Sequence, residues 1–323
     1  MSLQHALIDI LADGQFHSGN ELGEQLNVTR SAVWKALQQL RNFDVDIHAV
    51  HGRGYRLAEP LELLSSQKIQ AALNTQTQQH LQSLDILFDV DSTNAWLLKA
   101  THKHAVVCLA ERQHAGRGRR GRDWISPFAA NLTLSIGWRF DLDITAMSDF
   151  SLICGVAVVR ALQIFGVADL SLKWPNDILC QGKKLGGILI EMRGESGGPC
   201  NLVIGVGLNV RMPIDIDDSI DQPWIDLRHV NSANSISRNA LAAAMIDQLV
   251  EACNACVHGN TSSYLDEWKK YNAYANQPVT IHMMDGSSVS GYFSDIDESG
   301  ALLLESEGQL QRFTCGEVSL RGG

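Results

Sequence analysis

The sequence has little that would tie it to a membrane or to an extracellular, disulfide-stapled fold. It has no run of about 18 consecutive apolar residues, the length that would mark a membrane-spanning helix. The opening stretch MSLQHALIDILADG lacks the basic start and small-residue cleavage site of a secretory signal, so none is expected. Seven cysteines, an odd number and scattered, offer no disulfide framework and suit a reducing cytoplasm. Cys253 and Cys256 form a C-x-x-C inside a helical pattern. No second pair follows and His258 is misplaced for haem attachment, so these cysteines read as helix packing. There is no surplus of positive charge. A net charge of −10 argues against a protein that coats nucleic acid without selection, though it leaves room for a local basic face. Internal repeats, low-complexity segments and the G-K-[ST] of a Walker A loop are also missing. What remains is an ordinary globular mix, 45% apolar and 19% charged, long enough at 323 residues for two or three domains.

Residues 1–60 read as a winged helix-turn-helix. Leu3, Ala6, Leu7, Ile10 and Leu11 recur at helical spacing, and Gly14 ends that helix. Ser18 with Glu21 three positions on is a capping box that opens a second helix, whose apolar face is Leu22 and Leu26. After the turn at Asn27 and Val28, Thr29 caps a third helix, RSAVWKALQQLR, with Val33, Leu37 and Leu40 inward. VDIHAV and YRL flank the glycine-rich HGRG and read as a hairpin wing. The region is acidic by two charges overall, yet its cations fall on the third helix and the wing, where phosphates would be met. Thr29, Arg30, Ser31, Trp34, Lys35 and Arg53 are the candidate DNA-contacting residues. Helical periodicity leaves the direction of Trp34 open, and a winged helix used for protein contacts is the alternative reading.

Pro60 breaks this unit, and a linking helix is expected from Ser65 or Ser66. Residues 61–272 read as a mixed α/β domain. Its strands are LDILFDV, AVVCLAERQ, NLTLSIGWRF, LSLKW, KLGGILIEM and LVIGVGLNV. Its helices are SDFSLICGVAVVRALQIFG, NALAAAMIDQLVEACNACV and TSSYLDEWKKY. Residues 273–323 are short strands punctuated by Asp-Gly, Ser-Gly and Glu-Gly turns, a small β-barrel pattern. The whole is an α+β multidomain chain.

AGRGRRGRDW, residues 115–124, contains a literal G-x-G-x-x-G at Gly116, Gly118 and Gly121. A dinucleotide fold needs the third glycine to open a helix. Here a proline and a strand pattern follow, and Asp141 and Asp143 lie about twenty residues on with no helix between. The variable positions are arginines: Arg117, Arg119 and Arg120, with Arg122 beside them. Glycines alternating with planar bidentate donors describe a loop that folds around an anionic ligand, a triphosphate or a carboxylate. A solvated charge run or a nucleic-acid patch is the bland alternative, and neither accounts for the glycines.

Three further clusters bear on such a site. Asp91-Ser92-Thr93-Asn94 ends a strand with small polar groups suited to a small ligand, although Asn94 is also a candidate helix cap. KWPNDIL sets Lys173, Asn176 and Asp177 at a strand end, where Asp177 suits Mg²⁺ or a proton and an ordinary turn competes. GKKLGGILIE places Lys184 before two glycines, a candidate for gripping a phosphate, or else an exposed hairpin lysine.

STN, QHAGRGRRGRDWISP, NLTLSI, LKWPNDIL, KKLGGILIE and GVGLNV together resemble the signature blocks of the biotin–protein ligases. With the winged helix in front, essentially the whole chain resembles the bacterial members that double as biotin operon repressors. The resemblance implies a class II synthetase-like central domain and an SH3-like C-terminal barrel. It implies activation of biotin by ATP with Mg²⁺ to biotinyl-5′-AMP, then transfer to a lysine of the biotin carboxyl carrier protein of acetyl-CoA carboxylase. It also implies an adenylate-bound homodimer on biotin operator DNA.

Carried to this sequence, the resemblance places Ser92, Thr93, Asn94, Gln113, Gly116, Arg117, Lys184 and Gly187 at biotin. It places Arg117, Arg119, Arg120, Arg122, Trp124, Asn131, Lys173, Asn176, Asn209 and Trp224 at the nucleotide. Arg119, Lys184 and Asp177 are the catalytic expectations, with Asp177 at the metal. DDSIDQPW would be a second ordering loop, and RGESGGP would lie near the dimer contact. Asp123 departs from the pattern, an anion just after the arginines. The rivals are a sensor of adenylate without catalysis, an enzyme with a vestigial winged helix, and a lipoate ligase. Lys184, Asp177 and Arg119 speak against the first, Arg30, Lys35 and Arg53 against the second, and the arginine loop with KWPND against the third.

Overall fold

The computed structural model describes residues 2–43, 45–99, 104–141, 149–193, 200–213, 220, 222–230, 236–283, 285–314 and 318–322. Asp143, the 194–199 stretch of RGESGGP and residues 217–219 and 221 of DDSIDQPW lie outside the described residues.

Three helices open the chain: α1 (Leu3–Leu11), α2 (Gly19–Gln25) and α3 (Arg30–Leu40), with a 3₁₀ turn at Arg41–Phe43. The capping box forms as its spacing predicts. Ser18 Oγ accepts from the Glu21 N–H, and the Glu21 carboxylate accepts from the Ser18 N–H at 2.8 Å. Thr29 caps α3. In α1 the fully buried trio is Leu7, Ile8 and Leu11, so Ile8 rather than Ile10 completes the inward stripe. β1 (Ile47–Val50) and β2 (Gly54–Leu57) pair antiparallel as the wing, and Tyr55 exchanges backbone hydrogen bonds with His17 to pin it to α2's approach.

The central elements are α4 (Ser66–Ala72), α5 (Thr75–His80), β3 (Ser83–Leu87), α6 (Thr93–Lys99), β4 (Val106–Ala110), β5 (Asn131–Phe140) and α7 (Phe150–Ile164). They continue with β6 (Leu170–Lys173), β7 (Asp177–Cys180), β8 (Lys183–Arg193), β9 (Cys200–Asn209), α8 (Leu227–Val230), α9 (Arg238–Val257) and α10 (Ser262–Tyr271). The seven strands order as β3-β4-β5-β9-β8-β7-β6, and only β3 and β4 run parallel. β4 shows why both faces are covered. Val107 and Leu109 join the main core, which α7 and α9 complete, while Val106 and Cys108 join Leu97 of α6 in a smaller cluster on the opposite face. α9 is by length and composition apolar enough to cross a membrane, but over half of it is buried in this core. The C-x-x-C lies within α9. Burial pushes the Cys256 thiol up to about 12 and raises the Cys253 thiol well above its ordinary value, which fits packing.

The winged helix rests on the central sheet through Phe43, Phe88 and Phe128, with ring centroids 4.9–6.0 Å apart. The linker is held by a buried ion pair: Arg238 Nη1 lies 2.8 Å from Glu111 Oε2. Arg238 also donates to the Glu62 and Asn131 carbonyls, and Glu111 accepts from the Leu64 N–H. Two charges this deeply buried persist because each guanidinium nitrogen donates to an acceptor.

The C-terminal strands are β10 (Pro278–Met283), β11 (Ser288–Ile296), β12 (Leu302–Ser306), β13 (Gln309–Phe313) and β14 (Val318–Gly322). They form one antiparallel sheet in the order β13-β12-β11-β10-β14. The expected barrel is thus a five-stranded sheet in which, among the described residues, no ladder pairs β13 with β14. The Glu-Gly turn sets Glu307 and Gly308 both at positive φ, as a tight two-residue hairpin requires.

Candidate functional site

Sheet register builds the floor of the site. Thr133 pairs with Gly207, Gly207 with Gly187, and Gly187 with Asp177, a row crossing β5, β9, β8 and β7. Small residues on this face let larger groups approach the backbone. A Cβ on Gly207 would lie 2.5 Å from the Trp124 ring, and one on Gly205 would overlap the Asn94 carboxamide. Above this row opens a cavity of about 510 Å³ whose apolar lining includes Trp124, Leu189 and Trp224. Its size falls in the ordinary range for a small-molecule site.

The arginine loop folds over this cavity as a small hairpin. Arg117 and Asp123 bridge, the Gly118 N–H donates to the Arg122 carbonyl at 2.7 Å, and the Trp124 N–H donates to the Gly116 carbonyl at 2.9 Å. Asp123, the departure from the family pattern, therefore sits in the hairpin's own pairing.

A neutral hydrogen-bonding cluster lines one part of the cavity. Gln113 Oε1 accepts from the Thr93 N–H at 2.7 Å and its hydroxyl at 3.0 Å. Ser135 Oγ lies 2.7 Å from Thr93 Oγ1 and 2.6 Å from Asn94 Oδ1. Asn94 Nδ2 donates to Glu191 Oε2 at 2.9 Å, the oxygen that also takes Arg117 Nη2 at 2.8 Å. Asn94 is thus committed to the sheet and does not cap α6. Ser92 Oγ serves there, accepting from the Ala95 N–H. Hydrogen bonds from Lys99 and the Ser92 N–H hold the Asp91 carboxyl below its usual range.

The second cluster is charged. Lys184 Nζ lies 2.8 Å from Asp177 Oδ1, and Arg119 Nη1 donates to Asn176 Oδ1 at 3.1 Å. Asn176 Nδ2 is fixed on the Ile188 carbonyl at 2.9 Å. The Trp174–Pro175 bond is cis, and buried Trp174 donates its indole N–H to the Gly300 carbonyl, which ties KWPND to the C-terminal sheet. Burial, together with the Asp177 carboxylate, pushes the Tyr274 hydroxyl up. Trp224 pairs beside Lys184, whose N–H donates to the Pro223 carbonyl.

Of the residues expected at biotin and nucleotide, all but Gly116 and Asn131 line this cavity. Gly116 supports the hairpin from behind. Asn131 is buried and donates to the Ile125 carbonyl at 3.0 Å, so its side chain holds the end of the loop. Asn209 lines the cavity while donating to the Ile225 carbonyl at 3.1 Å. Sequence reasoning missed Ser135 and Glu191, which hydrogen-bond Thr93, Asn94 and Arg117, and Gly205, Gly207 and Leu320 of β14, which line the cavity. Arg120, at φ 58°, donates to the Met283 carbonyl at 3.3 Å, a second tie to the C-terminal sheet. Among the described residues no cluster of three His, Cys, Asp or Glu side chains could hold a metal by itself.

On the winged helix, Thr29, Arg30, Ser31, Trp34, Lys35 and Arg53 are all exposed. Trp34 points outward, and the Arg53 guanidinium stacks 4.2 Å above the Phe16 ring.

The biotin/lipoate A/B protein ligase family matches residues 87–209, an HTH domain residues 4–56, and a biotin protein ligase C-terminal domain residues 274–321. The bifunctional ligase/repressor BirA of Salmonella typhimurium is 40% identical over 317 residues, which cover 98% of this chain and 96% of that protein. The biotin–[acetyl-CoA-carboxylase] ligase of Mycobacterium tuberculosis is 33% identical over 243 residues, 73% of this chain and 88% of its own. Among solved structures, the biotin protein ligase from Aquifex aeolicus in complex with biotin and ATP matches with a TM-score of 0.65 at 25% identity. That match covers 75% of this chain and 100% of the other.

Proposed function

The chain belongs to the biotin/lipoate A/B protein ligase family, and from that membership we propose that it activates biotin with ATP to biotinyl-5′-AMP and transfers the biotin to one lysine of the biotin carboxyl carrier protein of acetyl-CoA carboxylase. As the adenylate-bound homodimer it represses biotin biosynthesis genes by operator binding. The observation that carries the ligase half is one cavity with a glycine-rich floor and Trp124, Leu189 and Trp224 in its lining, a neutral hydrogen-bonding cluster around Gln113 and Thr93, and a cationic cluster of Lys184 and Arg119. That combination suits a ligand with a neutral polar ring, an alkyl chain and a carboxylate that must meet a phosphate.

In this reading Ser92, Thr93 and Gln113 bind the ureido ring, and Arg117 draws in the carboxylate. A carboxylate oxygen attacks the α-phosphorus, the bond to the bridging oxygen breaks, and pyrophosphate leaves. Lys184 and Arg119 face the oxygens on which charge gathers, and such preset cations are a large part of phosphoryl-transfer catalysis. Trp124 and Trp224 enclose the nucleotide with Arg120, Arg122, Lys173, Asn176 and Asn209. The folded hairpin keeps water from the mixed anhydride until an acceptor lysine amine displaces AMP.

Mg²⁺ on ATP draws most of its oxygen ligands from phosphates and water and one or two from carboxylates. Asp177, with Asn176 beside it, fits that share, and a metal there would neutralise polyphosphate charge. The division at residues 1–60, 61–272 and 273–323 separates DNA binding, catalysis and loop support in this scheme. Two winged helices in a dimer would match an operator of two half-sites.

The test is biotin-dependent exchange of pyrophosphate into ATP on the purified protein with Mg²⁺. Exchange with biotin and none with lipoate is the expected result. Tight biotin binding without exchange would overturn the ligase reading in favour of a sensor.

A further inference from the structure

α3 has an unusual outer face. Its sequence RSAVWKALQQL contains no Asp or Glu. Val33, Ala36, Leu37 and Leu40 are buried, which turns Arg30, Ser31, Trp34 and Lys35 to solvent. Trp34 is 52% exposed, a large flat apolar ring among cations on a helix that otherwise presents polar groups. A scattered exposed apolar residue needs no explanation, but this one shares its surface with the wing. The Arg30 stem and the Tyr55 ring both lie within 3.4 Å of where a Cβ on Gly19 would stand, so the start of α3 and strand β2 converge there. Arg53 on the same hairpin is braced by the Phe16 ring. The face therefore combines fixed positive charge, short hydroxyls at Thr29 and Ser31, and one aromatic plane.

We propose that Trp34 reads thymine: its ring packs against the C5-methyl group of a thymine in the major groove and so fixes one position of each operator half-site. Cations suit duplex DNA by charge, and thymine is the base that presents an apolar group to the major groove. The inference rests on the repressor reading above and adds a base to it.

The experiment selects binding duplexes from a library with a randomised core, using the full chain with biotin, ATP and Mg²⁺ present. Each thymine of the enriched duplex is then replaced singly by deoxyuridine, which removes only the methyl group. The expected result is a loss of about fourfold in affinity at one thymine per half-site, the worth of one buried methyl. Trp34→Ala should be indifferent to that replacement, and Trp34→Phe should keep part of the sensitivity. Equal losses in the parent protein and in Trp34→Ala, or none in either, would overturn the thymine contact and leave the repressor reading standing. Failure to enrich any duplex would overturn both.

Discussion

The Lys184 ammonium lies 2.8 Å from a carboxylate oxygen of Asp177, and both side chains are mostly buried at the cavity wall. Asp177 therefore holds the lysine's charge in place before any anion arrives, and a phosphate oxygen entering the cavity meets a cation already positioned. Lys184→Met is expected to lower biotin-dependent pyrophosphate exchange by about 10²–10³-fold, the usual cost of losing one preset charge-stabilising donor. Asp177→Asn should lower it less and raise the Mg²⁺ concentration needed for half-maximal exchange. Unchanged exchange in Lys184→Met would remove the lysine from the chemistry.

Arg119 does two things at once. Its guanidinium faces the cavity, and its Nη1 fastens the arginine hairpin to Asn176 at 3.1 Å. Arg119→Gly removes a cation from the phosphate side and a tether from the loop. The expected outcome is adenylate that escapes into solution and acylates exposed lysines at random. Incubation with an unrelated lysine-rich protein, followed by probing for biotin, reads this directly. No labelling above the parent enzyme would show that the loop closes without Arg119.

Legibility in the sequence followed the range of the interactions. NLTLSIGWRF reads as a strand and is one, since ten residues buried almost throughout leave little choice. DILC is also a strand, but four residues after the Trp174-Pro175-Asn176 turn give no period to detect. The arginine loop could be tied to an anionic ligand because glycines and guanidiniums carry that chemistry locally. Glu191 could not. It sits in an apolar strand pattern, and its partners Asn94 and Arg117 are far away in sequence. A lone carboxylate inside GILIEM was the available hint. Glu111 and Arg238 gave the same weak hint, charged residues at the ends of apolar segments, and only the fold shows that they pair. Asn131, which only the resemblance places at the nucleotide, donates its amide to the Ile125 carbonyl and is not among the residues that line the cavity.

Glu191 yields a prediction because one of its oxygens takes both Arg117 and Asn94. It orients the guanidinium expected at the substrate carboxylate and anchors the start of the hairpin. Glu191→Ala should raise the KM for biotin about tenfold or more, with a smaller change in kcat. Glu191→Gln can still accept from both donors but lacks the charge that strengthens such a bond, and should fall between. A kcat loss that outweighs the KM change in both variants would argue that Glu191 acts on the reaction itself.

Glu62 anchors the linker between the winged helix and the sheet. Its Oε1 accepts from Ser237 Oγ at 2.6 Å and Asn239 Nδ2 at 2.8 Å, and its Oε2 accepts from the Arg238 N–H. Burial opposes its charged form, but the hydrogen bonds from Asn239, Ser237 and Arg238, with the Arg238 charge, outweigh it and hold the carboxyl below its ordinary value of 4.5. The folded state thus prefers the ionised form more than the unfolded chain does. By linkage the anchor is fully present above pH 4.5 and is lost as the pH falls below that value. Thermal melting from pH 7 to pH 4 should show Tm falling more steeply in the parent protein than in Glu62→Gln, which has no charge to lose. The comparison is between slopes, because other carboxylates titrate in the same window and affect both proteins alike. Parallel curves would mean that the linker is held by the neighbouring Glu111–Arg238 pair, with Glu62 contributing only neutral hydrogen bonds.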